Sequence, residues 1–209
     1  MAKPLRIVES RGNGHSERAA HQRERILDAA EKCFIDSGFH AAGMARVAET
    51  AGISPGLIYR YFDGKASLVK AIIMRQLESE GARVIDEVVS PQTMSERMLN
   101  MFDHWRRGNE PKTNASLMLD LAAECSRDSK IARVVRDKDQ MVEERLKAAI
   151  GRIVEAAGGR ITATEARSRA IVLQCLFEGL CSRATRDPSL QRKALKSALE
   201  QVVDVLLRA

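Results

Sequence analysis

The chain has 209 residues, enough for one large domain or for a small domain followed by a larger one. Its content of 44% hydrophobic and 30% charged residues is typical of a globular protein with a substantial core. The net charge of +6 favours a polyanionic partner. Only +2 of this charge lies in residues 1–65, so charge alone is a weak argument for DNA binding. No apolar run approaches the roughly 18 residues of a membrane span, and the N-terminus lacks the apolar core of a signal peptide. We therefore predict a cytoplasmic protein.

The N-terminal residues 1–20 are polar and predict a disordered basic arm. Two interpretations of this arm stay open: contact with DNA phosphates, or a solvated tail without a role. The first predicted helix covers residues 21–37, because its apolar residues recur at three- and four-residue spacing. Gly38 follows, where a glycine can end the helix.

Residues 44–61, MARVAETAGISPGLIYRY, predict two short helices joined by a tight turn. Gly52 stands where the first helix must reverse, because glycine adopts the left-handed conformation without a side-chain clash. Ser54 is positioned to cap the second helix, and Pro55 occupies its first position, where a missing N–H costs nothing. This pattern is typical of a helix-turn-helix, whose second helix enters the DNA major groove. The alternative is an ordinary helical hairpin, which would not need all of these features together.

A long helix is predicted from Lys65 to about Val88, and Ser90 and Pro91 are expected to end it. Five further helices are predicted over residues 93–108, 114–126, 128–157, 163–186 and 189–207. No stretch has the alternation of a strand. The predicted fold is all-α with about nine helices: the arm (1–20), a three-helix helix-turn-helix DNA-binding domain (21–64) and a larger C-terminal helical domain (65–209).

The last two predicted helices have apolar faces that are too wide for a single neighbour. If they pair with their symmetry mates, they form a four-helix bundle with two-fold symmetry. A dimer also carries two reading heads about 34–36 Å apart, which suits a palindromic DNA site. Alternatively, both faces are filled within the monomer. The residues expected in dimerisation are Leu173, Leu176, Leu180, Leu195, Leu199, Val202 and Leu206.

The segment from Gly38 to Ile72, GFHAAGMARVAETAGISPGLIYRYFDGKASLVKAI, resembles the N-terminal domain of the TetR family of one-component transcriptional repressors. The glycine, the AGIS turn, the YRYF run and the following Lys65 and Leu68 match the family's pattern. The rest of the chain agrees in helix count and length. The resemblance implies a homodimeric regulator, a repressor, that binds a palindromic double-stranded DNA operator and is released by a small-molecule inducer.

Carried over onto matching positions, the resemblance implies eight DNA-binding residues: Arg46, Ser54, Pro55, Gly56, Tyr59, Arg60, Tyr61 and Lys65. Arg60 is suited to a guanine edge, and Lys65 is expected to contact a phosphate. For Tyr61, packing in the core is an equal alternative. Ala42 and Gly43 depart from the family, which usually has Thr followed by Ser or Thr there, and Pro55 replaces a position that is often basic. These departures should weaken the contacts with phosphate.

The resemblance also implies a ligand-binding cavity among the helices of residues 93–186. The candidates, chosen by apolar face and central position, are Met101, His104, Trp105, Leu117, Met118, Leu121, Cys125, Met141, Leu146 and Phe177. Glu124 and Glu178 are added because either could bind a cationic inducer if its side chain points inward. Packing in the core is the alternative for all of these residues.

An enzyme is disfavoured, because the sequence has no Gly-rich phosphate loop, no G-x-S-x-G and no H-E-x-x-H. No His, Cys and Asp residues have metal-ligand spacing, so neither a metal nor a cofactor is predicted. Two alternative functions stay open. One is a ligand-independent, nucleoid-type DNA-binding protein of the same fold. The other is a redox or electrophile sensor that uses one of the four cysteines, Cys33, Cys125, Cys175 or Cys181.

Overall fold

The computed structural model describes residues 13–76, 85–107 and 115–208, and within them it contains nine α-helices and no strand. The helices are α1 (Asn13–Ser37), α2 (Met44–Thr50), α3 (Pro55–Ile58), α4 (Lys65–Gln76), α5 (Pro91–Arg107), α6 (Ala115–Glu124), α7 (Ser129–Ala156), α8 (Ala163–Arg186) and α9 (Arg192–Leu207). The predicted all-α class is confirmed.

The first helix is longer than predicted. α1 begins at Asn13, so residues 13–20 are helical, and assigning all of residues 1–20 to a disordered arm was wrong. Apolar periodicity marks only the part of a helix that packs against a core, and it misses a solvent-exposed extension. Residues 1–12 of the predicted arm lie outside the described residues.

The segment before α5 ends close to where the long helix was predicted to end, but its stop signal has another role. Ile85 and Asp86 are helical, the backbone from residue 87 is not, and residues 77–84 of the predicted helix lie outside the described residues. Ser90 and Pro91 begin α5, because the Thr93 N–H donates to Ser90 Oγ at 3.2 Å and Pro91 is the first helical residue. A Ser-Pro pair that ends one helix can therefore equally start the next.

The helix-turn-helix and the larger helical domain share one hydrophobic core. Buried side chains of α1 to α4 pack together with Leu117 of α6 and Ile131 of α7. Arg75 of α4 strengthens this packing, because its guanidinium binds Asp28 and Glu31 of α1, each at 2.7 Å. Together these contacts fix the small domain against the first turn of α7.

The helices of the larger domain alternate in direction. α8 runs antiparallel to α7, since Gln174 Nε2 donates to the Asp139 carbonyl at 3.0 Å and Arg167 Nε to Glu143 at 2.8 Å. α9 returns along α8, where Arg169 donates to the Arg208 carbonyl at 2.7 Å. A second core, which includes Leu99, Ile150 and Val203, lies among these helices. α8 therefore ends, and α9 begins, near the helix-turn-helix.

Candidate nucleic-acid interface

The turn between α2 and α3 has the predicted geometry. Gly52 has φ +65°, and no other residue type tolerates this backbone conformation as well. The Gly52 N–H donates to the Glu49 carbonyl and the Ile53 N–H to the Ala48 carbonyl, both at 2.9 Å. These two bonds are those of a Schellman motif, and they use carbonyls that the end of α2 would otherwise leave without a partner. The Arg25 guanidinium adds a bond to the Ala51 carbonyl at 2.9 Å.

The second helix is shorter than predicted but begins as predicted. Ser54 Oγ accepts from the Leu57 N–H at 3.3 Å, and Pro55 is the first helical residue. Regular helix ends at Ile58, and the chain continues in a turn where the Arg60 and Tyr61 N–H groups bond to the Leu57 and Ile58 carbonyls at 3.1 and 3.0 Å. We call residues 38–62, which comprise the turn before α2, α2, α3 and the turn after α3, the reading head.

One side of the reading head is buried and the other is exposed. Val47, Ala48, Ile58 and Phe62 are all at most 4% exposed and pack in the shared core. Six of the predicted DNA-binding residues lie on the exposed side: Arg46, Ser54, Pro55, Gly56, Tyr59 and Arg60. Tyr59 is 56% exposed, so most of its ring faces solvent. This side therefore presents an aromatic ring, two cations and a Cβ-free backbone to solvent.

Tyr61 and Lys65 lie in different surroundings from the other six. Tyr61 is half-buried and packs against the shared core, as its alternative assignment expected. The ammonium of Lys65 hydrogen-bonds the Phe39 carbonyl and lies 4.2 Å from the centre of the Phe39 ring. Burial lowers the pKa of Lys65, while the charge of Glu124 acts in the opposite direction. The ammonium of Lys65 thus binds a carbonyl of the protein, whereas the sequence predicted that it contacts a DNA phosphate.

The departures from the family's pattern leave α2 without a side-chain cap. Gly43 occupies the N-cap position and makes no side-chain hydrogen bond, and Ala42 is fully buried. The reading head therefore lacks a hydroxyl that could bind phosphate at the start of α2. Lys65 does not replace it, because its ammonium is used within the protein.

A polar contact that the sequence did not reveal joins the reading head to α6. Asp120 Oδ2 accepts from the Phe39 N–H at 2.9 Å, although 81 positions separate the two residues. Glu124, four residues later on α6, lies 3.7 Å from His40 Nδ1. Residues 38–40 lead directly into α2, so α6 touches the chain at the entrance to the reading head. No local sequence signal could have indicated a contact between segments so far apart.

The twelve ligand candidates do not form a single group. Trp105 and Phe177 meet edge-to-face with ring centres 4.6 Å apart, and Met101 and Met118 pack in the same cluster. Leu117, Leu121 and Cys125 pack instead in the core shared with the reading head. Leu146 belongs to the second core, and His104 and Met141 are half-buried.

The two predicted carboxylates do not point into the interior together. Glu178 is exposed on α8, so it does not meet the condition of an inward-pointing side chain on which its inclusion depended. Glu124 lies at the junction with the reading head, beside His40. We call Trp105, Phe177, Met101 and Met118 the aromatic-methionine cluster, and it contains one buried polar atom without a partner among the described residues. Trp105 is 5% exposed, and its buried Nε1 has no hydrogen-bond partner in the described part of the chain.

The predicted dimer residues are partly used by the core of the monomer. Leu173 and Leu199 are at most 7% exposed, and Leu176, Leu180, Leu195 and Leu206 are half-buried and pack against the second core or its neighbour. Their part in an interface between copies stays a prediction. Val202 is 43% exposed. The apolar side chains that α8 and α9 leave in solvent are Ile171, Val172, Val202 and Val205. Val202 was among the predicted dimer residues, and the other three lie one or two positions from a predicted leucine, because each helix is apolar on two faces and only one of them fits the monomer core.

The four thiols differ in burial. Burial raises the pKa of Cys181 to about 11, and burial also raises that of Cys125. Cys33 is buried, while Cys175 is exposed on α8. Among the described residues no group of three or more His, Cys, Asp or Glu side chains is arranged to hold a metal. No described helix is long and apolar enough to cross a membrane.

Comparisons with known proteins agree with this arrangement of a reading head and a helical domain. Residues 26–72 match the family described as bacterial regulatory proteins, tetR family, and residues 94–208 match the BetI-type transcriptional repressor C-terminal domain. The transcriptional regulator UidR of Escherichia coli (strain K12) is 30% identical over 125 residues, which cover 58% of this chain and 61% of that protein. The repressor AcnR of Corynebacterium diphtheriae is 31% identical over 125 residues, which cover 60% and 63%.

The chain thus spans less than two thirds of the length of these relatives. Among solved structures, Salmonella enterica GusR has the same fold with a TM-score of 0.73 at 22% identity, covering 90% of this chain and 95% of that one. The two family matches together extend from the reading head to the end of α9, and the second covers more than half of the chain. The chain therefore belongs to the TetR family of bacterial transcriptional regulators.

Proposed function

We propose that this protein is a homodimeric repressor that binds a palindromic operator and is released from it by a small-molecule inducer. The observation that carries the proposal is the reading head itself. Its exposed face presents Tyr59, Arg60 and Arg46, while its buried face is fixed to α4 and α6 by the shared core. A rigid helix-turn-helix with an exposed aromatic ring and guanidinium is suited to bases in the major groove.

The exposed stripe on α8 and α9 supports a dimer. Its apolar members are Ile171, Val172, Val202 and Val205, each at least 41% exposed. Gly179 lies on α8 near this stripe, and a Cβ placed there would meet nothing within 4 Å. The monomer therefore leaves room beside the stripe for another helix. Burial of these side chains against their symmetry mates removes apolar surface from water.

The aromatic-methionine cluster of the larger domain is the proposed inducer site. Methionine side chains adapt to ligands of irregular shape, and Trp105 Nε1 is a buried donor that lacks an acceptor in the described part of the chain. A carbonyl or hydroxyl oxygen of an inducer would supply this acceptor. The inducer class that fits is a mostly apolar molecule with one hydrogen-bond acceptor near the indole.

The contact of Asp120 with Phe39 is the proposed route from this site to DNA. Met118, a member of the cluster, and Asp120 both belong to α6. A ligand that displaces α6 would move residues 38–40 and with them the entrance to α2. Inducer binding then lowers DNA affinity, because the inducer prefers the conformation in which the two heads no longer fit adjacent grooves.

Selection of bound genomic DNA fragments by the purified protein tests the proposal. We expect enrichment of one palindrome or a few related ones, and protection of two half-sites about one helical turn apart. The Tyr59→Ala variant, carried through the same selection, should enrich none. Enrichment of many unrelated fragments, with no compound that releases them, would instead support the nucleoid-type alternative.

A further inference from the structure

The end of the larger domain nearest the reading head carries a groove of basic side chains that the proposed function does not use. It is a surface cavity of about 390 Å³ between the last turn of α5 and the first turns of α9. Five cations line it, Arg106, Arg107, Arg192, Lys193 and Lys196, together with the carboxylate of Asp103. These residues are called the basic groove below.

The surroundings of these cations leave the groove positively charged. Asp103 lies 3.5 Å from both Arg106 and Arg192, and Arg192 also pairs with Glu96, so these two carboxylates offset the charges of Arg106 and Arg192. Lys196 lies 3.8 Å from Glu200, at a site where both side chains are largely in solvent. Arg107 and Lys193 are exposed and form no ion pair within the described part of the chain. An excess of exposed cations concentrated at one place attracts a polyanion.

The contacts of the helices place the groove at the same end of the protein as the reading head. The Arg106 guanidinium donates to the Pro188 carbonyl at 3.3 Å, which fixes the end of α5 to the turn between α8 and α9. Near the end of α8, Cys181 contacts the Ala115 carbonyl at the start of α6. Two residues later, Leu117 packs in the core that α6 shares with the reading head. The groove and the reading head therefore flank the same end of the helical domain.

We propose that the basic groove binds the phosphate backbone of the DNA that lies between the two half-sites. This inference rests on the proposed dimer and operator. Two heads in adjacent major grooves leave a stretch of duplex beneath the larger domains, and this stretch passes the groove of each subunit. At physiological salt such charges act over about 8 Å, so the groove attracts the backbone even before direct contact.

Two observations favour duplex DNA over a small anion as the occupant. Three of the five cations, Arg107, Lys193 and Lys196, are exposed to solvent rather than gathered around an enclosed volume. The reading head lacks the phosphate contacts expected of it, because Gly43 offers no hydroxyl and Lys65 binds the Phe39 carbonyl. A second basic surface supplies the missing contacts with phosphate, which contribute affinity but read no sequence.

The test compares two triple variants with the same change in net charge. R107Q/K193Q/K196Q removes three groove cations but keeps Arg192, which binds Glu96 and Asn100. R152Q/R160Q/R208Q removes three exposed cations from the opposite end of the domain. Dissociation constants are measured by fluorescence anisotropy from 50 to 200 mM KCl, on the palindrome enriched by genomic selection.

The groove variant should show a shallower dependence of affinity on salt than the wild type. Loss of one phosphate contact per subunit changes the slope of log K against log salt by about 1.8, so the affinity ratio between variant and wild type changes about twelvefold over this range. The control variant should keep the wild-type slope. Equal slopes for both variants would overturn the inference.

A second measurement locates the contact on DNA. Uncharged methylphosphonate linkages between the half-sites should weaken wild-type binding and weaken the groove variant less, since its phosphate contacts are already lost. If the methylphosphonate linkages weaken the wild type and the groove variant equally, the groove does not contact this stretch of DNA and the inference fails. If the wild type selects no palindrome at all, the proposed function fails instead, and this outcome is distinguishable from the others.

Discussion

The reading head and the basic groove both present exposed cations, but they differ in what lies beside those cations. On the head, Arg46 and Arg60 share the exposed face with the ring of Tyr59. The cations around the head, Lys65, Arg25 and Arg75, bind carbonyls or carboxylates of the protein itself. In the groove, Arg107 and Lys193 face solvent, while Arg106 and Arg192 bind other groups of the protein. The head thus combines charge with an aromatic ring, whereas the groove offers charge, and we propose base reading for the first surface and non-specific attraction to DNA for the second.

We expect loss of the dimer to reduce DNA affinity most, because binding to a palindrome requires two reading heads. Val202→Glu places a charge in the exposed stripe of α9, where burial against a second copy would desolvate it. The variant should sediment as a monomer and bind the palindrome roughly 100- to 10,000-fold more weakly, because linkage of the two heads is lost.

Val89→Glu is the matched control, since Val89 is also exposed but lies outside the α8–α9 stripe. It should remain dimeric and bind DNA like the wild type. A Val202→Glu protein that stays dimeric in analytical ultracentrifugation at micromolar concentration would show that another surface joins the copies.

The next largest effect should come from the exposed face of the head. Tyr59→Ala removes a side chain that is 56% exposed, so the fold should be unaffected while specific binding falls roughly 100-fold or more over two heads. Its salt slope should stay close to that of the wild type, because Tyr59 neutralises no phosphate. Anisotropy titrations measure both quantities, and Tyr59→Phe, which keeps the ring, is the control. Wild-type affinity in Tyr59→Ala would assign base reading to other residues.

A smaller effect is expected at the contact between α6 and the reading head. Asp120→Ala removes the acceptor of the Phe39 N–H and should lower the free energy of unfolding by about 1–2 kcal/mol, since a hydrogen bond to a charged group is lost at a partly exposed site. Asp120→Asn keeps an oxygen acceptor and should lose less. Urea denaturation followed by circular dichroism measures the difference. If both variants unfold like the wild type, α6 does not fix residues 38–40 in solution.

The smallest effect concerns the thiols of α8. Burial raises the pKa of Cys181 to about 11, so roughly 0.1% of this thiol is ionised at pH 8. In the monomeric Val202→Glu protein, iodoacetamide should modify exposed Cys175 at least tenfold faster than Cys181, as followed by peptide mass spectrometry. The Cys181 rate should rise as the pH approaches 11. Rapid modification of Cys181 at pH 8 would instead revive the sensor hypothesis.

The helix-turn-helix was predictable from sequence because its determinants are local. The positive φ of Gly52 and the Ser54 cap are confirmed, and both depend on residues within a few positions of the turn. The exposure of Tyr59 and Arg60 follows from the same short pattern, since the intervening apolar residues fix which side is buried. The start of α1 and the end of α3 were predicted less well, because helix ends are decided by small differences in free energy.

The dimer and ligand residues were harder to predict. α8 carries apolar residues both at Leu173, which is buried, and at Ile171, which is exposed. Periodicity identifies two apolar faces but does not say which of them the chain itself covers. The same holds for α6, where Met118 packs with the aromatic cluster while Leu117 packs in the core of the reading head.

The sequence by itself determined the helical class, the turn of the reading head and its exposed aromatic and basic residues, since backbone preferences and caps act between neighbours in the chain. Only the tertiary structure decided the partner of Lys65, the contact of Asp120 with Phe39 and the meeting of α5 with α9 that forms the basic groove. Each of these joins segments 25 or more positions apart. Such contacts depend on how whole helices pack, and no short stretch of sequence contains that information.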